Sequence, residues 1–464
     1  MTSQQLHSSD RTGKLDPEFG ENGFKYLESP HPDYPKYHST VVAVGPDDMI
    51  YVAGQAYSDV LPYLNTLTRL DQRGSIDENF GENGFFYSSL IGTHESSFIA
   101  EQIVFLEIEE KILISGEATY YDNGPRIDKA IIRFNLNGTI DEDFGDKGAF
   151  IFRTPSDGKV LLDEDIYNAE RLKIAKARET ELQQPTPLTS STSCAMTITD
   201  DHILLLHQTY SSFSKKSSFI IRVTHDGKLD EKFNNRGYVE VTHAEFPFVT
   251  LESLVIDKAG NYISAGTVRR NYSGAVDAIA LVKHSKDGAL DTDFQTGGFL
   301  FIKSDNENSY FSFGTTVKQD NNRILFLGTQ IYRDLSKLKA EGLLISLEAD
   351  GSRNIKFNSG KPVFFTINSS NTFFFNANFH PDGSFLVTGD TKKSTSSPYH
   401  YAVTRFEHNG VHDEKFGNGG WFEYKDTIVP AYATSVISNN KIICSSFPAD
   451  GNLGRRPIAR GLMS

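Results

Sequence analysis

Residues 13–24 read GKLDPEFGENGF, and 61 residues later residues 74–85 read GSIDENFGENGF. A phrase that recurs at this period commits the chain to a repeat architecture, because each copy has to build the same local structure. The leading glycine returns at Gly13, Gly74, Gly138, Gly227, Gly288, Gly351 and Gly410, at intervals of 61, 64, 89, 61, 63 and 59 residues. A phenylalanine follows every time, at Phe19, Phe80, Phe144, Phe233, Phe294, Phe357 and Phe416. Between them stands an acid, at Asp16, Asp77, Asp141, Asp230, Asp291 and Asp413, replaced in the sixth copy by Asn354.

Each interval also repeats a strand pattern. VVAVGPDDMIYVAG (41–54), IVFLEIEEKILISG (103–116) and LVIDKAGNYISAG (254–266) are pairs of apolar runs around turn residues, the signature of a β-hairpin. A third run precedes the motif, such as SFIIRVT (218–224), and a fourth leaves it, such as YVEVT (238–242). The second runs are apolar on both faces, which fits strands buried between neighbouring sheets. Four short strands per repeat, arranged radially, make a β-propeller. The expectation is therefore an all-β, seven-bladed β-propeller of four-stranded blades. Residues 1–12 are expected to form a disordered tail and 13–464 a single domain. The chain starts with a motif and a fourth strand, FKYLE (24–28), and ends with a third strand, PIARGLM (457–463). This predicts a ring closed by the N-terminal strand joining the C-terminal blade.

The third strand carries a cation eight residues before the motif acid. The pairs are Arg69 with Asp77, Arg133 with Asp141, Arg222 with Asp230, Lys283 with Asp291 and Arg405 with Asp413. In the sixth unit both charges are lost together, to Ser346 and Asn354. Paired loss points to structural ion pairs, since a buried charge is costly once its partner is removed. Across the ring closure the same logic pairs Arg460 with Asp16. The residue after the motif phenylalanine is Gly20, Gly81, Gly145, Asn234, Asn358 or Gly417, suited to a left-handed backbone, with Gln295 read as a departure. The last motif glycine is replaced by Lys361 in the sixth copy.

The pattern of a DG-x-LD-x-x-FG-x-x-G turn, two apolar runs ending in glycine and an R-containing third strand closely resembles the bacterial delta-60 repeat, over about residues 13–463. The resemblance implies a propeller-type ring. It implies no set of catalytic residues.

The 89-residue interval exceeds the others, and the excess falls within 154–190. Its centre, DEDIYNAERLKIAKARETEL (163–182), predicts a helix with Ile166, Ala169, Leu172 and Ala175 along one face. The insertion reads either as a partner-docking helix or as a patch on the ring.

Composition narrows the function. Hydrophobic residues make up 38% and aromatics 12%, enough for a packed core, and the net charge of −14 disfavours nucleic acid as a partner. Two cysteines, Cys194 and Cys444, carry no metal or redox spacing. No signal peptide and no apolar stretch of membrane-spanning length is visible, so cytoplasmic residence is expected, with signal-independent export the alternative. A monomer is expected. Catalytic, metal and cofactor motifs are absent, and each motif supplies one regular acid where a calcium loop needs several.

The starts of the first strands are polar, including Thr40, Glu101, Gln102, Glu252, Thr315, Asn376, Asn378 and Thr434. In a closed ring they converge on one channel mouth, with aromatics such as Phe98, Phe248 and Phe311 upstream. The leading reading is a non-catalytic platform that binds a protein or peptide by the insertion-bearing face and this mouth. The alternatives are a lectin-like carbohydrate binder, or a hydrolase or lyase using Glu101 or Glu252 as base.

Overall fold

The computed structural model describes residues 16–58, 63–120, 126–154, 195–212, 215–271, 275–319, 322–332, 339–380, 382–394, 397, 399–424, 434–438, 441–445 and 457–462. Strand β1 (Phe24–Tyr26) leaves the first motif turn. Strands β2 (Lys36–Val44), β3 (Ile50–Tyr57), β4 (Leu64–Leu70) and β5 (Phe85–Ser88) form an antiparallel sheet in that order. A short ladder of β6 (Leu90–Ile91) and β7 (His94–Glu95) leads to β8 (Ser97–Leu106), β9 (Lys111–Tyr120), β10 (Arg126–Asn135) and β11 (Ala149–Phe152).

Two further sets follow. They are β12 (Met196–Ile198), β13 (His202–Ser212), β14 (Lys215–Thr224) and β15 (Tyr238–Val241), then β16 (Phe248–Ile256), β17 (Tyr262–Arg269), β18 (Ala278–His284) and β19 (Phe299–Ile302). The chain continues with β20 (Ser309–Lys318), β21 (Ile324–Tyr332), β22 (Ala340–Leu347) and β23 (Val363–Phe365). Next come β24 (Asn371–Phe379), β25 (Phe385–Lys392), β26 (Tyr399–Phe406) and β27 (Trp421–Tyr424). Finally β28 (Thr434–Ser438), β29 (Lys441–Ser445) and β30 (Pro457–Leu462) take β1 as their outer neighbour, with Lys25 opposite Ile458.

The expected seven-bladed ring of separate four-stranded blades is corrected by the sheet pairing. Among the described residues five sheets have four strands, and β12 to β19 belong to one eight-stranded sheet. The fusion is local. It rests on one parallel bridge between β14 and β16, where Lys216 pairs with Phe248 and Lys216 N donates to Pro247 O at 3.0 Å. Among the described residues helical structure is limited to 3-10 turns at Phe233–Asn235, Asn358–Gly360 and Ile367–Ser369. The segment 163–182, expected to be helical, and all of 154–190 beyond Thr154 lie outside the described residues.

The core lies between successive sheets. Strand β3 is buried at every position. Its Tyr51 and Ala53 share one apolar cluster with Phe98, Ile112 and Ile132 of the next sheet. Burying each such large side chain stabilises the fold by about 1.5–3 kcal/mol, so neighbouring sheets hold each other. First strands pack in succession, β2 on β8, β16 on β20, β20 on β24 and β24 on β28, and β28 packs on β2.

The motif turns form a second belt. Phe80, Phe144 and Phe233 are fully buried. A Cβ placed on Gly138 would lie 2.8 Å from the Phe80 ring, so each phenylalanine needs the bare glycine of the following motif. Backbone bonds repeat the link, from Gly81 N to Asn137 O at 2.8 Å and from Gly145 N to Asp226 O at 2.9 Å. Gln295, expected to depart from the left-handed position, adopts it with φ 49° and sends its side-chain amide to Asp350 O. At the sixth motif Lys361 is extended at φ −94°, and the positive φ moves to Ser359 and Gly360.

Candidate functional site

The cations of the third strands sit against the motif acids. Nε donates to the carboxylate at 2.9 Å in Arg69–Asp77, 2.7 Å in both Arg133–Asp141 and Arg222–Asp230, and 2.6 Å in Arg405–Asp413. Lys283 reaches Asp291 at 3.5 Å. The guanidinium does two further things that spacing alone did not reveal. Arg133 and Arg222 each lie 4.7 Å from the centroids of Phe144 and Phe233, a cation–π geometry. Arg69 and Arg222 donate onward to the next motif turn, at Leu136 O (3.0 Å) and Lys286 O (2.7 Å). The array is structural, since its donors are consumed by the protein itself. Asp16 is buried. Arg460 pairs through its backbone with Ile443, and its side chain lies outside the described residues.

A different arrangement surrounds Glu101 and Glu252. Each lies at a β-bulge, where the first strand slips one residue against the second, between Ala100 and Gln102 and between Leu251 and Ser253. The cause is a glycine on the second strand. A Cβ on Gly266 would meet Thr250 O at 1.9 Å, so only glycine lets the first strand bow in and rotate Glu252 out of the ladder.

The residue after this glycine is polar along the repeat: Gln55, Glu117, Thr267, Thr329 and Asp390. Gln55 donates to Phe98 O at 2.9 Å, and Thr329 accepts from Phe374 N at 3.3 Å, so in these two the group ties one sheet to the next. Glu117 occupies the same place, in register with Lys129. Lys129, 3% exposed, forms an ion pair with Glu101. His207 on β13 is also buried, with Nε2 3.1 Å from Thr154 Oγ1. Sequence reading named Glu101 and Glu252 here and missed Glu117, Lys129, His207 and Lys216. The available signal was the polar residue following each second-strand glycine.

These groups feel one another. Burial pushes the Glu117 carboxyl up to about 7, helped by the Glu101 carboxylate and opposed by Lys129 and Lys216. Burial likewise lifts Glu252 to about 7 against the pull of Lys216 and Arg269. His207 is held neutral down to about 3 by burial and then by the charges of Lys129 and Lys216. Glu117 and Glu252 nevertheless keep partial solvent exposure. Glu101, Glu117, Lys129, His207, Lys216 and Glu252 thus make one charged cluster shared by three successive repeats. The Lys216 ammonium is its hub, acting on Glu117, His207 and Glu252 alike.

The remaining residues expected at the channel mouth do not join this cluster. Thr40 is buried and donates to Ala53 O at 3.2 Å. Gln102 is used up in a reciprocal pair of bonds with the Met196 backbone, at 2.9 and 3.0 Å. Thr315 is fully buried. Asn376 turns its Oδ1 onto the neighbouring Ala377 N, and Asn378 lies part-buried on the same strand. The side chain of Thr434 lies outside the described residues. Phe98, Phe248 and Phe311, expected to ring a ligand, are core residues. Among the described residues no group of three or more His, Cys, Asp or Glu side chains is placed to hold a metal ion.

A family model described as "Domain of unknown function (DUF5122) beta-propeller" matches residues 111–144, the stretch from β9 to the motif Phe144. The chain is a β-propeller repeat protein. No curated protein matches it. Among solved structures it is similar to the polysaccharide lyase Uly1, at 9% identity over 99% of this chain and 94% of that one, with a TM-score of 0.44. It is also similar to the β-propeller domain of the Trilobed protease from Pyrococcus furiosus, at 7% identity over 92% and 96%, with a TM-score of 0.43. Likenesses this remote bear on neither substrate nor activity. No helix among the described residues is long and apolar enough to cross a membrane.

Proposed function

We propose that this propeller belongs with the delta-60 repeat proteins and is a non-catalytic binding platform for a peptide or protein segment. The observation that carries the reading is the charged cluster of Glu101, Glu117, Lys129, His207, Lys216 and Glu252. Strands of three successive repeats contribute to it, and Glu101, Glu117, Lys216 and Glu252 are half-buried rather than sealed off. A peptide-display library selected on the wild-type chain should enrich ligands that the Lys216→Met variant does not hold. Equal retention by both proteins would remove the cluster from the account.

One observation favours a second reading, acid–base chemistry as in a hydrolase or lyase. Burial lifts the Glu252 carboxyl to about 7, the range in which a general acid or base works at neutral pH. Glu101 is less suited, because Lys129 engages it. Turnover that survives Glu252→Gln would exclude this reading.

A further inference from the structure

We propose that Asn418 is a site of spontaneous covalent modification, where the side-chain amide is lost through a cyclic imide to leave aspartate or isoaspartate. The site lies in the last motif turn and shares no residue with the charged cluster.

An asparagine followed by glycine can close on itself, because glycine has no Cβ to block the approach. Base takes the proton of the glycine N–H, and the nitrogen attacks the asparagine Cγ. The new N–Cγ bond forms as the Cγ–Nδ2 bond breaks, and ammonia leaves. Water then opens the ring at either carbonyl, giving aspartate or isoaspartate. Nothing is oxidised or reduced, and water is the co-reactant. A glycine N–H held by an acceptor is protected until the turn opens locally.

Five Asn–Gly pairs lie within the described residues: Asn22–Gly23, Asn83–Gly84, Asn137–Gly138, Asn409–Gly410 and Asn418–Gly419. Three hold the glycine N–H. Gly23 N donates to Phe19 O at 2.8 Å, Gly138 N to Asn135 O at 3.0 Å and Gly410 N to Glu407 O at 2.8 Å. In two of these the asparagine Oδ1 is tied as well, by Thr139 N at 3.1 Å and by Val411 N at 3.0 Å. Gly84 is buried. Asn418 and Gly419 are both exposed. Among the described residues neither the Gly419 N–H nor the Asn418 side chain has a hydrogen-bond partner. A Cβ placed on Gly419 would meet nothing closer than the Trp421 ring at 3.6 Å, so its surroundings are open.

The other repeats show what each product does. Asn418 stands in the slot of Glu21, Glu82 and Asp146. Asn418 N donates to Trp421 O at 2.8 Å, as Glu21 N does to Phe24 O at 2.7 Å and Asp146 N to Ala149 O at 2.7 Å. Aspartate therefore suits this turn. Isoaspartate adds a carbon to the main chain just before Gly419. It displaces Gly420, whose N–H donates to Phe416 O at 2.7 Å and whose carbonyl accepts from Thr404 Oγ1 at 2.8 Å. The isoaspartyl chain thus loosens the tie between β26 and β27.

The test ages the full chain at pH 6 and pH 8 and maps its peptides by mass spectrometry, with electron-transfer fragmentation to separate aspartate from isoaspartate. Asn418 should convert about tenfold faster than Asn22, Asn137 or Asn409, the protection given by one kept hydrogen bond. It should also convert faster at pH 8 than at pH 6. The isoaspartyl form should have a lower urea midpoint, whereas Asn418→Asp should keep the wild-type midpoint. An Asn418 that converts no faster than the other three, or not at all, would overturn the assignment. An isoaspartyl chain as stable as Asn418→Asp would overturn the loosening of β27.

Discussion

Asn354 Nδ2 donates to Ser346 Oγ at 3.0 Å, in the place where Arg133 and Asp141 form a buried ion pair in an earlier repeat. Ser346 Oγ in turn donates to Gln319 Oε1 at 3.0 Å. The fold thus contains two solutions to one problem, how to tie the third strand to the motif turn. One uses a charge pair, the other neutral groups of smaller size. Exchanging one partner at a time leaves a buried charge alone, whereas exchanging both leaves none.

This gives a stability prediction. Arg222→Ser should lower the unfolding free energy by about 3–5 kcal/mol, the usual cost of orphaning a buried charge, here that of Asp230. Adding Asp230→Asn should recover much of it by restoring the arrangement found at Ser346 and Asn354. Urea unfolding of the single and double variants measures the difference. A double variant no better than the single would show that the charges act independently.

The acid side has a definite sign. Burial works to raise Asp77 and Asp141, but hydrogen bonds and charge from Arg69 in one case and from Lys111 and Arg133 in the other hold both below the ordinary value. A depressed folded-state pKa stabilises the fold above the unfolded value and is lost as pH falls through the folded one. Stability should therefore drop as pH falls below about 4. An Asp141→Asn variant should show a shallower acid limb in a thermal-unfolding series.

Glu252 has the opposite sign. Its folded pKa is raised to about 7, so the folded state holds a proton that the unfolded chain releases earlier. Stability should decline as pH rises from about 4.5 to 7. Glu252→Gln should remove that slope and be at least as stable as wild type at pH 8. A variant less stable than wild type at pH 8 would mean that the ionised carboxylate is well paired.

The bulges give a geometric prediction. A Cβ on Gly389 would lie 1.8 Å from Phe373 O, a backbone atom that cannot swing aside. Gly389→Ala should cost about 3 kcal/mol or more and lower the urea midpoint accordingly. An unchanged midpoint would show that the first strand can straighten without loss.

The repeat and its ion pairs were legible in the sequence because they are local. Arg222 and Asp230 lie eight residues apart, on a strand and the turn that follows it, so one period of the repeat contains both. The charged cluster was legible only in part. Glu117, Lys129, His207 and Lys216 meet through bulges and through the register between different repeats, and spacing along the chain does not encode that register. The fused sheet was hidden for a similar reason, since it rests on the lateral approach of Lys216 to Phe248. Phe98 and Phe248 look like ligand aromatics in a string of letters, but the bulged first strands turn them into the core.

The central claim is a charged cluster in which burial lifts the carboxyls of Glu117 and Glu252 to about 7. Difference infrared spectroscopy of wild type against Glu252→Gln, across pH 5 to 9, tests it most directly. The account predicts a protonated-carboxyl band that belongs to Glu252, persists at pH 6 and disappears with a midpoint near 7. A midpoint near 4.5, the value of an ordinary exposed glutamate, would contradict it.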